Sequence, residues 1–528
     1  MSLAGQPAAS RPAWPRWWLI TAALSVAWVI WAPPVRDLAA QDYRGGLAEH
    51  DPFAIWEQGW FAGHYLPGYS VIVPPLAALT GPRLVGIAGA LIAAWCFERL
   101  ATRHWDRRPA RAASIAFAVG VVATLVAGQM AFALGLGVGL AALLACASDR
   151  RILAAALGAA TTLSSPVAGA FLVLACAAWW LATRARVALL CAGGAILPGL
   201  AILLAFPDKG VQPFSGRSAL ISFVLCMAVA LAPPRSERAI RIGGALAAVA
   251  VAAAWAIDTP LGSNILRLSS VFALPLLVGT LWEGRRLLLL VLGTIAISWQ
   301  WSADAALSVY DASPTLHAQS FYLPLVEELN RRKAADGPFR TEVVPLREHW
   351  ETRWIPPGLP IARGWERQLD VALNPELYDD STLSPAAYRR WLREQSIAYV
   401  AVARAPFDKG GRKEGALLHR GPVAGLPLVW RSKHWKLYAV QGARPLASPP
   451  ARVTALGPHT VTLTTPTPTT TVVRVRFTPY WKLVRGRGCV GRAPGDWTRV
   501  RLDEPGTAQL SISFSVRRIR ATSDRCSG

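Results

Sequence analysis

Apolar runs follow one another from Trp17 to Trp301, and many of the connections between them are short and contain arginine. About 20 consecutive apolar residues are enough for a helix to cross the hydrocarbon core of a bilayer. From residue 302 onward, charged and polar residues return. The mean hydropathy of +0.32 and the 16% of charged residues agree with an integral membrane protein that also has a water-soluble part.

The runs predict an α-helical polytopic membrane domain of about eleven spans within residues 1–302. The two longest runs are divided at Gly128-Gln129 and at Ser164-Ser165-Pro166, because each would exceed the ~30 Å core as one helix rising ~1.5 Å per residue. The predicted spans are 16–34, 83–101, 111–128, 130–148, 151–165, 167–183, 187–206, 218–233, 242–257, 266–282 and 286–302.

Arginine is far more frequent in every second connection between these spans than in the others. Because cytoplasmic connections carry the excess of basic residues, this asymmetry predicts a cytoplasmic N-terminus. The odd number of spans then places residues 303–528 outside. The first span lacks a small-residue cleavage motif and is expected to remain as an anchor. The predicted localisation is the cell membrane, multi-pass, with extracytoplasmic C-terminal domains.

The tail consists of two regions with different sequence patterns. Residues 303–445 mix strands such as IAYVAVAR (397–404) with helical patterns, which predicts an exported α/β domain. Its segment EHWETRWIPPGLPIARGWERQLD (348–370) is dense in Trp, Arg and carboxylate, and suits either sugar binding or docking on the membrane surface. Residues 446–528 alternate apolar and polar side chains between Pro, Gly and Thr turns, which predicts an exported β-sandwich of six to eight strands.

Only two of the seven cysteines, Cys489 and Cys526, lie in the tail. Two cysteines permit a single bridge, and an exported β-module favours a disulfide. No cysteine and histidine spacing suggests a zinc site, so no metal ligands are predicted. The remaining cysteines lie in or beside predicted spans, where a thiol packs as a small apolar group; they are Cys96, Cys146, Cys176, Cys191 and Cys226.

The connection after the first span, residues 35–70, is long, acidic and aromatic. Loops of this length in compact proteins are usually functional or disordered, and the aromatic content argues against disorder. It is therefore predicted to be the active-site loop. Its five carboxylates are Asp37, Asp42, Glu49, Asp51 and Glu57.

Several classes of enzyme are excluded by missing motifs. The sequence contains no P-loop, no GxGxxG between a strand and a helix, no HExxH and no GxSxG. The net charge of +23 comes from arginine beside the spans and from a basic tail, which is compatible with anionic lipid head groups or an anionic glycan. Nucleic acid is not an expected partner of an exported tail.

A first span, an acidic exported loop, about ten further spans and an exported C-terminal domain resemble the C-type glycosyltransferases. FTPYWKLVRGRGCV (477–490) is similar to a strand-turn in the C-terminal β-modules of bacterial multi-span proteins, many with that architecture. The adjacent pair of carboxylates common in the family is missing. Asp37, in PVRDLAAQ, matches the position of the family's catalytic acid best. The resemblance implies a polyprenyl-phosphate sugar as donor and a cell-envelope glycan or lipid as acceptor.

Inverting sugar transfer needs a carboxylate to take the proton of the acceptor hydroxyl, and cations to hold the departing phosphate. Asp37 is the candidate base and Asp42 the second choice. Further candidates are cations for the phosphate and aromatic residues for the sugar or polyprenyl path; they are Arg267, Arg44, His64, Trp56, Trp60 and Tyr65. A divalent cation is possible, although the loop carboxylates form no ligand spacing.

Structural roles for the same residues stay open at this point. Asp37 could cap a helix or pair with Arg36, and Arg267 could extend to the lipid surface. Two other functions are also compatible with the sequence. One is a transporter for lipid-linked saccharides, which predicts charges near the bilayer midplane. The other is a non-catalytic envelope assembly protein with a transferase-like frame.

Overall fold

The structure is a computed structural model, and it describes residues 16–31, 33, 35–207, 210–301, 313–356, 358–379, 381–519 and 526. Three predicted features lie wholly or partly outside these residues. They are the end of the first predicted span, the predicted boundary at 302/303 and the first ten residues of the predicted α/β domain.

The described N-terminal half is helical. The fourteen α-helices are α1 (Trp18–Trp31), α2 (Arg36–Ala48), α3 (Val73–Thr80), α4 (Pro82–His104), α5 (Arg107–Gly120), α6 (Val122–Val126), α7 (Met130–Cys146), α8 (Arg151–Ser164), α9 (Pro166–Thr183), α10 (Arg186–Ala205), α11 (Gly216–Leu231), α12 (Arg238–Ala256), α13 (Leu266–Leu281) and α14 (Arg286–Gln300).

Six helical segments are long and apolar enough to cross a membrane; they are Pro82–His104, Arg107–Val126, Pro166–Thr183, Arg186–Ala205, Arg238–Ala256 and Gly262–Leu281. Five more helices are apolar but shorter, namely α1, α7, α8, α11 and α14. These findings show a multi-pass membrane domain. The count of eleven spans stays a prediction, because only the six meet the length expected of a complete crossing.

Both predicted breaks in the longest apolar runs are confirmed. The helix α6 ends at Val126 and α7 begins at Met130, with Gly128 between them at a φ of +76°. In the second run, α8 ends at Ser164 and α9 begins at Pro166, whose missing N–H is tolerated at the first helical position. Ser165 caps α9 by accepting a hydrogen bond from the Ala168 N–H.

An α/β domain follows the membrane helices. Its sheet has the strand order β3-β4-β6-β5, with β3 parallel to β4 and the other pairs antiparallel. The strands are β3 (Arg340–Val343), β4 (Ile397–Ala403), β5 (Leu428–Arg431) and β6 (Trp435–Ala439). The helices are α15 (Pro314–His317), α16 (Gln319–Asp336), α17 (Glu351–Trp354), α18 (Arg367–Leu373), α19 (Pro385–Glu394) and α20 (Arg412–His419).

Seven strands form the C-terminal module in two sheets, ordered β10-β13-β8-β7 and β11-β12-β9, that share one apolar core. The predicted disulfide between Cys489 and Cys526 is present. The strands are β7 (Arg452–Leu456), β8 (Thr460–Thr465), β9 (Thr469–Arg476), β10 (Trp481–Arg485), β11 (Gly488–Ala493), β12 (Trp497–Leu502) and β13 (Gly506–Ile512).

The long loop between α1 and α3 has two parts. Its first part is the helix α2; its second contains a hairpin, residues 56–65, built on the short strands β1 (Trp56–Glu57) and β2 (His64–Tyr65).

Backbone hydrogen bonds join the hairpin to both C-terminal domains. The Ile361 N–H donates to the Gly59 carbonyl at 2.8 Å, and the Arg476 N–H donates to the Ala62 carbonyl at 2.8 Å. The hairpin is thus a built-in part of the extramembrane structure.

Candidate functional site

A cavity of about 750 Å³ lies where the membrane helices meet the α/β domain. Asp37 and Arg267, from α2 and from the first turn of α13, both line it. Both side chains are half-buried. A carboxylate and a guanidinium therefore share one cavity at the end of the helix bundle that carries the loop.

The position of Asp37 depends on the break between α6 and α7. The Gln41 amide N–H₂ donates to the Gly128 carbonyl, and the Gln41 Oε1 accepts from the Ala131 N–H at 3.0 Å. A Cβ at Gly128 would lie 3.2 Å from the Asp37 Cβ and 3.1 Å from the Leu38 N. Glycine at a positive φ thus lets α2 rest directly on the break, which fixes Asp37 at the cavity wall.

Four charged groups surround Tyr69, which lines the cavity at the end of the loop. Burial raises the pKa of Tyr69 to about 12; the charges of Arg44 and Arg267 lower it, and those of Asp37 and Glu366 raise it. Tyr69 is therefore a neutral hydroxyl at physiological pH. The Arg44 guanidinium lies 4.0 Å from the Tyr69 ring centroid and 2.9 Å from the Glu366 carboxylate, so it holds the loop against the α/β domain.

Two membrane helices, α7 and α9, begin at the cavity. Lining residues at their starts are Gln129 and Pro166, whereas the Leu266 N–H at the start of α13 already donates to carbonyls of the 3-10 turn Gly262–Ile265. The first N–H groups of a helix have no partner within it and carry partial positive charge. Their convergence beside Arg267 favours negative charge in the cavity.

The cavity wall is also rich in groups that both donate and accept hydrogen bonds. The carboxamides that line it are Gln129, Gln212, Asn264, Gln300 and Gln368. Among hydroxyl groups, Ser165 and Ser270 are examples, and the aromatic lining includes Trp299 and Trp365. Aromatic faces and paired donors and acceptors suit a polyhydroxylated ligand such as a sugar.

The α/β domain closes the cavity with residues 365–368. Trp365 stacks on His349 at a centroid distance of 3.5 Å, and Arg367 forms an ion pair with Asp408 at 2.6 Å. These contacts fix the orientation of side chains that the sequence placed in the Trp- and Arg-rich segment 348–370. The Trp- and Arg-rich composition of segment 348–370 indicated a functional surface. The sequence did not indicate that residues 365–368 would lie over the cavity.

Asp42, the second-choice base, lies elsewhere on α2. Its carboxylate forms an ion pair with Arg353 of the α/β domain at 2.5 Å, and both side chains are partly exposed. The described residues that line the cavity include Asp37 and do not include Asp42. The two carboxylates of α2 therefore face different parts of the molecule.

The five other predicted substrate-binding residues of the loop are buried in contacts between domains. Trp56 and Tyr65 pack in the core of the C-terminal module, and the Tyr65 hydroxyl lies 2.9 Å from the Thr478 Oγ1. Trp60, fully buried, stacks on Tyr43 at 4.5 Å.

His64 lies 3.0 Å from the Glu57 carboxylate, and its ring is parallel to that of Trp60 at 5.6 Å. Arg44, described above, completes this set. Among the described residues that line the cavity, none of these five appears.

Within the described ranges, no group of three or more His, Cys, Asp or Glu side chains is arranged to hold a metal ion. The five cysteines of the membrane helices are buried and free.

No protein-family model matches the sequence, and no curated protein matches it. A solved structure with a similar fold is the cryo-EM structure of the arabinofuranosyltransferase AftD from mycobacteria. The two are 18% identical and align with a TM-score of 0.46, over 82% of this chain and 40% of that chain. This chain thus spans less than half the length of that structure.

Proposed function

We propose that this chain is a membrane glycosyltransferase that moves a sugar from a polyprenyl-phosphate donor to a cell-envelope acceptor on the outer face of the membrane. The observation that supports it is the shared cavity of Asp37 and Arg267, enclosed between membrane helices and a water-soluble domain. A lipid-linked sugar has its charged and polar head at that depth, with its hydrocarbon tail in the bilayer.

In this mechanism, Asp37 acts as the general base. Its carboxylate takes the proton of the acceptor hydroxyl while that oxygen bonds to the anomeric carbon, and the bond from the anomeric carbon to the phosphate oxygen breaks. A positioned base contributes roughly 10²- to 10⁴-fold to the rate of such steps. Attack on the face opposite the phosphate inverts the configuration.

Negative charge develops on the phosphate as the bond breaks. Arg267 supplies a guanidinium that can bind two phosphate oxygens, and the helix starts at Gln129 and Pro166 add partial positive charge. Because these groups are fixed by the bundle before the reaction, they stabilise the leaving group without a cost of reorganisation.

The proposal includes an orientation. The loop and both C-terminal domains share the extracytoplasmic side, where activated sugars arrive on lipid carriers. The disulfide between Cys489 and Cys526 supports this side, because such bonds persist in oxidising compartments.

The test compares carboxylates in a strain that lacks the endogenous gene. We expect Asp37→Asn to lower the rate of synthesis of the affected envelope glycan by at least about 100-fold, because the amide cannot take up the proton of the acceptor hydroxyl. The abundance of the protein should stay normal. Asp258→Asn is the matched control, since Asp258 is exposed at the end of α12 and outside the cavity lining. Glycan linkage analysis and immunoblotting give the two readouts.

Asp42→Asn separates the base from a docking carboxylate. We expect it to lower thermal stability slightly through loss of the Arg353 ion pair, by less than about 1 kcal/mol, and to keep most of the activity. Full glycan synthesis by Asp37→Asn at normal abundance would contradict the catalytic role and favour the non-catalytic assembly function.

A further inference from the structure

Gln300 is the last residue of α14 and lines the cavity. Its side chain is only 5% exposed, and both amide atoms, Nε2 and Oε1, lack a hydrogen-bond partner among the residues that the structure describes. Buried polar groups in proteins are almost always paired, and each unpaired one is destabilising. An amide with two unpaired ends at a cavity wall therefore points to a ligand.

Gly120, at the end of α5, leaves the space that the Gln300 amide occupies. A Cβ at residue 120 would lie 2.2 Å from the Gln300 Nε2 and 2.8 Å from the Oε1. Both residues line the cavity. Any larger residue at 120 would displace the amide, so the close approach of the two residues depends on glycine.

The end of α14 is fixed by its neighbour. The Trp299 indole N–H donates to the Ser269 Oγ at 3.2 Å, and the Ser269 Oγ lies 2.7 Å from the Ser222 Oγ. Trp299 also lines the cavity. The amide of Gln300 is thus presented beside an aromatic ring on a helix end that cannot easily rotate.

The chemistry of the amide selects among ligand parts. A phosphate or carboxylate oxygen accepts hydrogen bonds, so it would pair with Nε2 but repel Oε1. A hydrocarbon chain would pair with neither atom. A pair of sugar hydroxyls satisfies both atoms, because each hydroxyl donates and accepts.

We propose that Gln300 binds two ring hydroxyls of the sugar carried by the lipid-linked ligand and thereby selects which sugar is accepted. The inference rests on the proposed function, since it assigns the sugar part of that ligand to the wall formed by α5 and α14. The phosphate is assigned to the side of Arg267. A bound water is the alternative partner of the amide, and the experiment separates the two.

The experiment measures lipid binding by the full chain in nanodiscs. The probes are polyprenyl phosphate and four polyprenyl-phosphoryl sugars that carry arabinofuranose, galactofuranose, mannopyranose or glucopyranose. We expect the wild type to prefer one sugar lipid. Gln300→Leu is expected to weaken binding of that lipid by about 10-fold, which corresponds to about 1.4 kcal/mol, and to change the Kd of polyprenyl phosphate by less than about two-fold.

Two further variants support the comparison. Gln300→Met keeps the length of the side chain and adds no charge but loses both the donors and the acceptor, so we expect the same selective loss even if Gln300→Leu does not fold. Gln441→Leu is the control, because Gln441 is an exposed glutamine far along the chain from the cavity lining.

Each outcome separates the two proposals. Unchanged binding of the sugar lipid, or an equal loss for both kinds of lipid, would overturn the role of Gln300 and leave the proposed function standing. If the wild type binds neither polyprenyl phosphate nor any of the sugar lipids, the proposed function fails and this inference fails with it.

Discussion

The two halves of the loop after α1 differ in what they contact. The first half, α2, presents the half-buried Asp37 to a cavity whose lining includes carboxamides and hydroxyls, and its Asp42 and Arg44 form ion pairs with the α/β domain. The hairpin, residues 56–65, is buried among aromatic rings and lines no part of that cavity, and backbone hydrogen bonds join it to the C-terminal domains. One loop thus supplies both part of a cavity wall and a structural joint.

The difference shows that aromatic content does not by itself identify a binding surface. Trp60 in the hairpin has its N–H paired with the Thr352 carbonyl at 3.1 Å and no exposed surface. Trp365 on the cavity wall stays partly exposed. Burial and hydrogen-bond pairing, rather than residue type, separate a residue that holds domains together from one that can meet a ligand.

The largest expected effect comes from truncating these two tryptophans. Trp60→Ala removes a fully buried ring, so we expect the free energy of unfolding to fall by about 3–5 kcal/mol and protein abundance to fall with it. Trp365→Ala is expected to cost less than half as much stability but to reduce sugar transfer more strongly at equal protein level. Thermal melts in nanodiscs and activity per molecule measure the two.

The reverse pattern would break the comparison. If Trp60→Ala folded normally and lost only activity, the hairpin would be part of the ligand site, as its composition first suggested.

An intermediate effect is expected at the contact beneath Asp37. Gly128→Ala places a Cβ against the backbone of α2, at 3.1 Å from the Leu38 N, and pushes Asp37 from its position. We expect about a 10-fold loss of transfer rate, or about 1.4 kcal/mol in the barrier. Rate measurements with a fixed amount of folded protein give this value.

Gly81→Ala is the matched control for Gly128→Ala. Gly81 has a similar φ of +82°, but a Cβ there meets nothing within 4 Å. Both variants place a Cβ at a positive φ, which costs about 1–3 kcal/mol, and Gly81, with a ψ of 145°, lies in a region that is essentially restricted to glycine. Equal loss of activity in the two would show that strain alone, and not the displacement of Asp37, is responsible.

The smallest effect is a dependence on pH within the hairpin. Burial lowers the pKa of His64, but the carboxylates of Glu57 and Glu366 outweigh burial and the charge of Arg44, so the pKa stands above its ordinary 6.5. The folded state then binds the proton more tightly than the unfolded state. The stabilisation is complete below pH 6.5 and is lost as pH rises through the folded-state pKa.

Melting curves at a series of pH values test this. We expect the free energy of unfolding to decrease from mildly acidic to alkaline pH in the wild type, and His64→Gln to flatten that slope. His50→Gln is the control, because His50 is exposed just after α2 in the same loop. A slope that persists unchanged in His64→Gln would assign the titration to another group.

The sequence predicted the features that depend on local patterns. The helix breaks at Gly128-Gln129 and before Pro166 follow from run length and from proline chemistry, and both are present. The alternation of apolar and polar residues in the last eighty residues predicts a strand-rich C-terminal region, and the two cysteines of the tail predict the disulfide; both are present. Asp37 and Arg267 are the predicted base and phosphate-binding residue, and both line one cavity.

The remaining features depend on contacts between distant parts of the chain. Trp56 and Tyr65 could equally face a ligand or a domain core, and only the arrival of the C-terminal module decides between them. Gln300 beside Trp299 has the composition of an ordinary interfacial helix end. Its importance depends on a glycine 180 positions earlier, a relation that no local pattern contains.

The joint between the hairpin and the C-terminal module has a consequence for how the protein is made. The partners Tyr65 and Thr478 are separated by 413 residues. At about 5–20 residues per second, a ribosome needs roughly 20–80 s to supply the second after the first. During that time several large aromatic side chains at the membrane surface have no partner module. We therefore expect this segment to remain exposed to lipid or to chaperones until the last strands have been synthesised.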